Sequence, residues 1–230
     1  MSTTPPVSTT TTTDANERCE TCRKPVWACV CDRVRPLETK TRVIILQHPQ
    51  EDDVVLGTAR LVASTLPAAR VLVGLSWPSL EAALEEEIDR SRWASVYSHK
   101  LPDDVLGRTG AIRMDRHGAL TDARPDGVVL LDGTWSQAKT LWWRNPWLLK
   151  LGRIALRPLQ PSIYGKMRRE PRREHVSTLE ATGAALTALG EDPAVEAELT
   201  KLMRTMVQRV RDHADAGPST RERRSAAPRR

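Results

Sequence analysis

The strongest restriction on the possible folds is an abrupt step from a short, wholly apolar run into a capped helix. Val128-Val129-Leu130-Leu131 shows no polar alternation, which is the pattern of a strand buried on both faces. Asp132-Gly133-Thr134-Trp135 follows at once, and helical periodicity runs from about Thr134 to Arg144. Similar steps recur along the chain. Val43 to Gln47 reads as a buried strand before a helix over Asp53 to Leu66. Arg70 to Leu75 reads as a second strand, ahead of a helix over Pro78 to Arg90 with proline in its first turn. Trp93 to Tyr97 and Arg153 to Leu156 read as further strands. Val176 to Leu189 and Pro193 to Arg211 close the chain as helices, the second with an apolar seam at Val195, Leu199, Leu202, Met206 and Val210. This alternation implies an α/β fold with a mainly parallel sheet and helices on both faces. Leu101 to Asp126, broken up by Gly and Pro, yields no readable element.

A length of 230 residues suits one domain with ragged ends. Residues 18–215 form that domain in this reading. Residues 1–17, a polar Thr/Pro tract, read as a disordered leader, and the Arg-rich residues 216–230 as a disordered basic tail. No apolar run approaches the ~18 residues of a membrane span, and the leader lacks the apolar stretch of a signal peptide. The expectation is a soluble, cytoplasmic protein without membrane contact, and no protein partner is implied.

The formal net charge is +6, but its distribution says more than its sum. Between Gly133 and Arg173, ten basic residues stand against a single acid, Glu170. A stretch so one-sided repels itself unless an anion is near. Trp135, Trp142, Trp143, Trp147 and Tyr164 are interleaved with these cations, the pattern expected of a phosphate-and-stacking surface. Arg168, Arg169, Arg172 and Arg173 are the candidate RNA-binding residues.

All four cysteines fall in thirteen residues, as Cys19-x2-Cys22-x6-Cys29-x-Cys31. Four thiolates so close repel one another unless a cation neutralises them, and tetrahedral Zn2+ is the usual solution. The tight Cys-x-Cys end keeps a redox or disulfide reading open. Residues 18–32 are too few for a core of their own, so a structural zinc would supply the folding energy of this knuckle.

In open α/β sheets, ligands bind beyond the carboxyl ends of the strands, which is where Asp132 to Trp135 fall. Thr134-Trp-Ser-Gln137 also matches a capping box, and a second box, Ser177-Thr-Leu-Glu180, opens a later helix. Either box is accounted for by capping alone. Either also presents a positive helix end suited to a carboxylate or phosphate. His48-Pro49-Gln50-Glu51 occupies another carboxyl end.

These segments together carry a resemblance. The Cys-x2-Cys with Cys-x-Cys, His48-Pro49-x-Glu51, Leu131-Asp132-Gly133-Thr134-Trp135-x-Gln137-Ala138-Lys139, Asn145-Pro146, and Arg168 to Pro171 followed by Ser177 to Ala181 resemble the DTW-domain family, in order, over roughly Cys19 to Leu189. The resemblance implies a tRNA-uridine aminocarboxypropyltransferase. Such an enzyme moves the 3-amino-3-carboxypropyl group of S-adenosylmethionine to N3 of a tRNA uridine and releases 5'-methylthioadenosine. It also implies kinship with SPOUT-like folds, whose cofactor loops form a knot. Uridine N3 retains its proton at neutral pH, so a base is needed before it attacks carbon. Asp132 is the matching acid. Gly133, Thr134, Trp135, Ser177 and Thr178 are the candidate cofactor contacts, with Arg168 a further candidate for the methionine carboxylate. Trp135 either stacks a base or packs its loop. A SPOUT-type RNA methyltransferase would differ in the carbon placed for attack. A zinc-containing RNA-binding protein without activity would gain nothing from a carboxylate in a basic surround.

Overall fold

The computed structural model describes residues 17–96, 110–158, 160–165, 167–168 and 176–216. Six strands form one sheet: β1 (Arg42–Gln47), β2 (Ala69–Val73), β3 (Trp93–Val96), β4 (Gly110–Met114), β5 (Gly127–Asp132) and β6 (Gly152–Arg157). Their order is β2-β1-β5-β3-β6-β4. All neighbours are parallel except β4, which runs antiparallel along β6. The helices are α1 (Ala59–Thr65), α2 (Leu80–Leu84), α3 (Trp135–Arg144), α4 (Thr178–Ala188) and α5 (Pro193–Asp215). The α/β class with a mainly parallel sheet is thus as expected. Among the described residues no helix is long and apolar enough to cross a membrane.

Successive residues of the central strands enter opposite cores, as the pleat requires. Val43, Ile45, Val128 and Leu130 join α1, α4 and α5 on one face. Ile44, Leu46 and Val129 join Leu80, Leu84, Trp147 and Leu148 on the other. Burial on both faces is why these strands read as unbroken apolar runs. Gly127 opens β5 because a Cβ there would stand 2.4 Å from the Trp93 ring.

Three elements differ from expectation. The helix expected from Asp53 begins only at Ala59, because residues 54–57 form turns whose carbonyls bind other groups. The helix expected over Pro78 to Arg90 is confined to Leu80–Leu84: Ser79 is its N-cap, leaving Pro78 outside, and Glu85 ends it in the left-handed region at φ 60°. Within the unreadable stretch lies β4, an edge strand whose half-exposed Gly-Ala-Ile-Arg-Met lacks an apolar run.

The cysteine knuckle is not a separate body. Ala28 and Val30 are fully buried, and Cys22 belongs to the main core. Trp27 stacks on His213 of α5, with ring centroids 3.8 Å apart. Packing therefore contributes to holding residues 18–32, so a metal need not supply all of their folding energy.

Candidate active site and metal centre

β1 and β5 lie side by side with Gln47 paired to Asp132, so the loops leaving both strands open at the same edge. Asp132 is 6% exposed. One carboxylate oxygen accepts from Gln47 Nε2 at 2.8 Å, and the other accepts from Thr178 Oγ1 at the start of α4. Donation to Asp132 fixes the Gln47 amide, because the reverse orientation would set its oxygen against a carboxylate. Gln47 Oε1 is then buried without a hydrogen-bond donor among the described residues. A buried acceptor of this kind is rare in a finished core and suits a ligand N–H.

Both capping boxes form. Thr134 Oγ1 accepts from Gln137 N–H while Gln137 Oε1 accepts from Thr134 N–H. Gln137 Nε2 then donates to Gln50 Oε1 at 3.0 Å, tying the loop after β1 to α3. Gly133 is required here, since a Cβ would come within 2.8 Å of Gln137 Cβ. Ser177 and Glu180 form the second box, and Glu180 also accepts from Ser162 Oγ and Ile163 N–H. The hydroxyls of Ser177 and Thr178 are therefore committed within the protein, Ser177 to its cap and Thr178 to Asp132.

The loop before α1 completes the edge. Thr58 Oγ1 accepts from Leu179 N–H at 3.2 Å, joining α1 to α4. Tyr164, 2% exposed, donates its hydroxyl to the Leu56 carbonyl, and burial pushes its pKa above the usual phenol range. Arg168 lies over the Tyr164 ring, 5.8 Å from its centroid, and pairs with buried Glu51 at 3.1 Å. Arg168 thus has an internal carboxylate partner. Arg169, Arg172 and Arg173 lie outside the described residues.

The expected aromatic surface divides. Trp147 and Tyr164 are core residues, with Trp147 Nε1 donating to the Trp77 carbonyl. Trp142 is half-buried, while Trp143 at 70% and Trp135 at 39% are exposed on α3.

Sequence reasoning missed Gln47 as a site residue, and it also missed Lys24. Lys24 is 2% exposed, and its ammonium donates to the carbonyls of Val55 and Gly57. Burial pulls its pKa down to about 8, against the opposing pull of negative charge on the Cys22 sulfur and the Asp132 carboxylate. Lys24 therefore couples the knuckle to the loop that carries Leu56 and Thr58.

The four thiols are free, and their sulfurs all lie within 4.8 Å of one another. Cys19 to Cys31 is 3.8 Å and Cys22 to Cys29 is 3.7 Å. A tetrahedron with metal–sulfur bonds of about 2.3 Å has edges of about 3.8 Å, so these residues fit one four-coordinate ion. The spacing is far from the ~2.05 Å of a disulfide. Burial pushes Cys22 up to about 11 and, with the neighbouring Cys22, raises Cys31 as well. A bound cation would favour the thiolates that burial disfavours.

A model of the DTW domain matches residues 16–211. The tRNA-uridine aminocarboxypropyltransferase 2 of Mus musculus is 28% identical over 190 residues, 82% of this chain and 61% of the relative. The Drosophila melanogaster protein of the same name is 28% identical over 213 residues, 89% of this chain and 79% of its own. The tRNA-uridine aminocarboxypropyltransferase A of Arabidopsis thaliana is 26% identical over 220 residues, covering 85% and 82%. The chain spans 61% of the mouse relative's length. No solved structure matches. With the matched segment running from the cysteine knuckle into α5, the chain belongs to the DTW-domain family.

Proposed function

We propose that this protein is an S-adenosylmethionine-dependent tRNA-uridine aminocarboxypropyltransferase that makes the N3-(3-amino-3-carboxypropyl) derivative of a tRNA uridine. The observation that carries the reading is the shared name of its relatives in mouse, macaque, fly and plant. The geometry around Asp132 supports it.

S-adenosylmethionine supplies an electrophilic carbon attached to a sulfonium leaving group. The N3–C bond forms as the C–S bond breaks, the sulfur keeps the electron pair as methylthioadenosine, and the N3 proton must leave. Asp132 takes that proton. Its oxygens are held by Gln47 and Thr178, so its orientation is set before substrate arrives. Gln47 Oε1 accepts from a substrate N–H, and the amino ends of α3 and α4, with Gly133, Thr134 and Trp135 at the first and Ser177 and Thr178 at the second, face the methionine carboxylate. Arg169, Arg172 and Arg173 grip tRNA phosphates, while neighbouring Arg168 is held by Glu51. Cys19, Cys22, Cys29 and Cys31 would hold a Zn2+ ion in a structural role, since four thiolate ligands would leave no open position for water or substrate. Through Lys24, which donates to the carbonyls of Val55 and Gly57, the knuckle steadies the loop before α1.

The test incubates purified protein with S-adenosylmethionine and unmodified tRNA, then identifies nucleosides by mass. The modified uridine and methylthioadenosine should appear in equal amounts. Release of S-adenosylhomocysteine would replace this reading with a methyltransferase, and binding without turnover would leave an RNA-binding protein. Metal analysis should give about one zinc per chain. Full stability and activity after complete metal removal would rule out the structural site.

A further inference from the structure

The opposite edge of the sheet holds a second feature that the chemistry above does not use. β3, β5 and β6 begin there at Trp93, Gly127 and Gly152, and antiparallel β4 brings Met114 to the same edge, paired with Arg153. A groove of about 1080 Å³ opens between these ends. Five residue steps along β5 separate it from Asp132, about 17 Å at the usual strand rise.

Seven cationic side chains line this groove. Four are answered by carboxylates: Arg90 by Glu81, Arg92 by Asp126, Arg113 by Asp122 and Arg124 by Glu191. The remaining three, Arg116, Lys150 and Arg153, form no ion pair among the described residues. Arg153 donates one terminal N–H to the Arg116 carbonyl at 3.2 Å, while its Nε–H is buried without an acceptor among the described residues. Arg116 Nε donates to His117 Nε2 at 2.9 Å, which steers the guanidinium. Asp89 and Asp115 also line the groove, but among the described residues neither pairs with these three cations, and a buried donor without an acceptor beside two exposed, unpaired cations is an arrangement suited to an anion.

We infer that this groove binds the phosphodiester backbone of the substrate tRNA, as a second point of attachment at the edge of the sheet away from Asp132. The inference rests on tRNA being the substrate. A polyphosphate strand fits better than a small anion, because the three cations come from the β4 turn, the segment before β6 and β6 itself, and the space far exceeds one phosphate. An RNA held at both edges of the sheet would be fixed in orientation relative to Asp132, while sequence reading is left to the carboxyl edge.

The test is the double variant Arg116→Ala/Lys150→Ala. Both residues are exposed, so the fold should be untouched. Binding of full-length tRNA is measured by fluorescence anisotropy over a salt series, independently of turnover. The slope of log K against log salt should fall by about 0.9 for each phosphate that the variant no longer neutralises, with S-adenosylmethionine affinity unchanged. Lys201→Ala/Arg204→Ala, an equal reduction of charge on exposed positions of α5, should leave the slope alone. An unchanged slope in the groove variant, or an equal drop in the control, would overturn the inference. So would inorganic phosphate at millimolar concentration occupying the groove without displacing tRNA. Because binding is read without turnover, a reduced slope with no transferase product would sustain the groove while refuting the proposed reaction.

Discussion

The two edges of the sheet differ in how their polar groups are answered. At the carboxyl edge nearly every one has an internal partner: Asp132 has Gln47 and Thr178, Glu180 has its cap and the 162–163 backbone, and Arg168 has Glu51. At the amino edge, among the described residues, the groove's seven cations outnumber the four carboxylates paired with them and one guanidinium nitrogen is buried without an acceptor. A site that moves a proton must fix its groups before the substrate comes, whereas a surface that grips a polyanion must leave charge for it. Charge density along the chain does not distinguish these cases. Arg168 belongs to the densest basic run and is answered by Glu51, while Arg116 lies outside that run and forms no ion pair among the described residues.

The largest expected effect tests the carboxyl edge. Asp132→Asn keeps the size and one acceptor but cannot take a proton, so turnover should fall by about 10^2 to 10^4. S-adenosylmethionine binding should survive, and raising the pH toward the uridine N3 pKa should restore part of the rate, because solvent then supplies the deprotonated base. Near-normal turnover, or failure to bind the cofactor, would remove Asp132 from the role of base and erase the contrast between a chemical edge and a gripping edge.

A smaller effect should follow from Thr178→Val, which keeps the shape and removes the hydroxyl that holds Asp132. Thr178 acts here as a positioning residue, and misplacement of a reacting group can cost up to about 10^2 in rate. kcat should fall while KM for tRNA stays, and Thr178→Ser should recover most of the rate. An increase in KM without a change in kcat would mean that Thr178 touches substrate directly.

The sheet is legible in the sequence because its central strands are buried on both faces and so spell themselves out as apolar runs. Edge strand β4 is not, since Gly-Ala-Ile-Arg-Met buries only two of its residues. Asp132, Gly133 and Thr134 are legible as a strand-to-helix turn. Thr178 stands out for its helix end, but its bond to Asp132 spans 46 positions of sequence. Lys24 is invisible for the same reason: a lysine between cysteines reads as solvated until the chain brings Val55 and Gly57 to its ammonium. The groove is hidden by distribution: Lys150 and Arg153 belong to the basic run, but the other five cations come from residues 90–92 and 113–124, where acids are interspersed.

The smallest effect concerns Glu191, whose carboxylate at the amino edge is as fully answered as the groups of the carboxyl edge. Its carboxylate accepts from Thr41 N–H and Thr41 Oγ1, both at 2.8 Å, from Lys40 N–H, and from Arg124 of the groove wall. Burial alone would raise its pKa, but these donors and the Arg124 charge together hold it below the ordinary 4.5. A depressed carboxylate stabilises the fold fully above its unfolded pKa, and that contribution is lost as pH falls through the folded value. Glu191→Gln should therefore lower stability at neutral pH by about 1.5 to 3 kcal/mol, the range for a hydrogen bond to a charged group. The gap from wild type in urea midpoints should close as pH drops well below 4.5. The variant also releases Arg124 into the groove, so tRNA affinity should rise slightly and its salt slope steepen. A stability gap that persists unchanged in acid would mean that Gln disturbs packing and that the Glu191 charge contributes nothing. A flat salt slope would mean that Arg124, once freed, does not reach the RNA, and would confine the anion site to Arg116, Lys150 and Arg153.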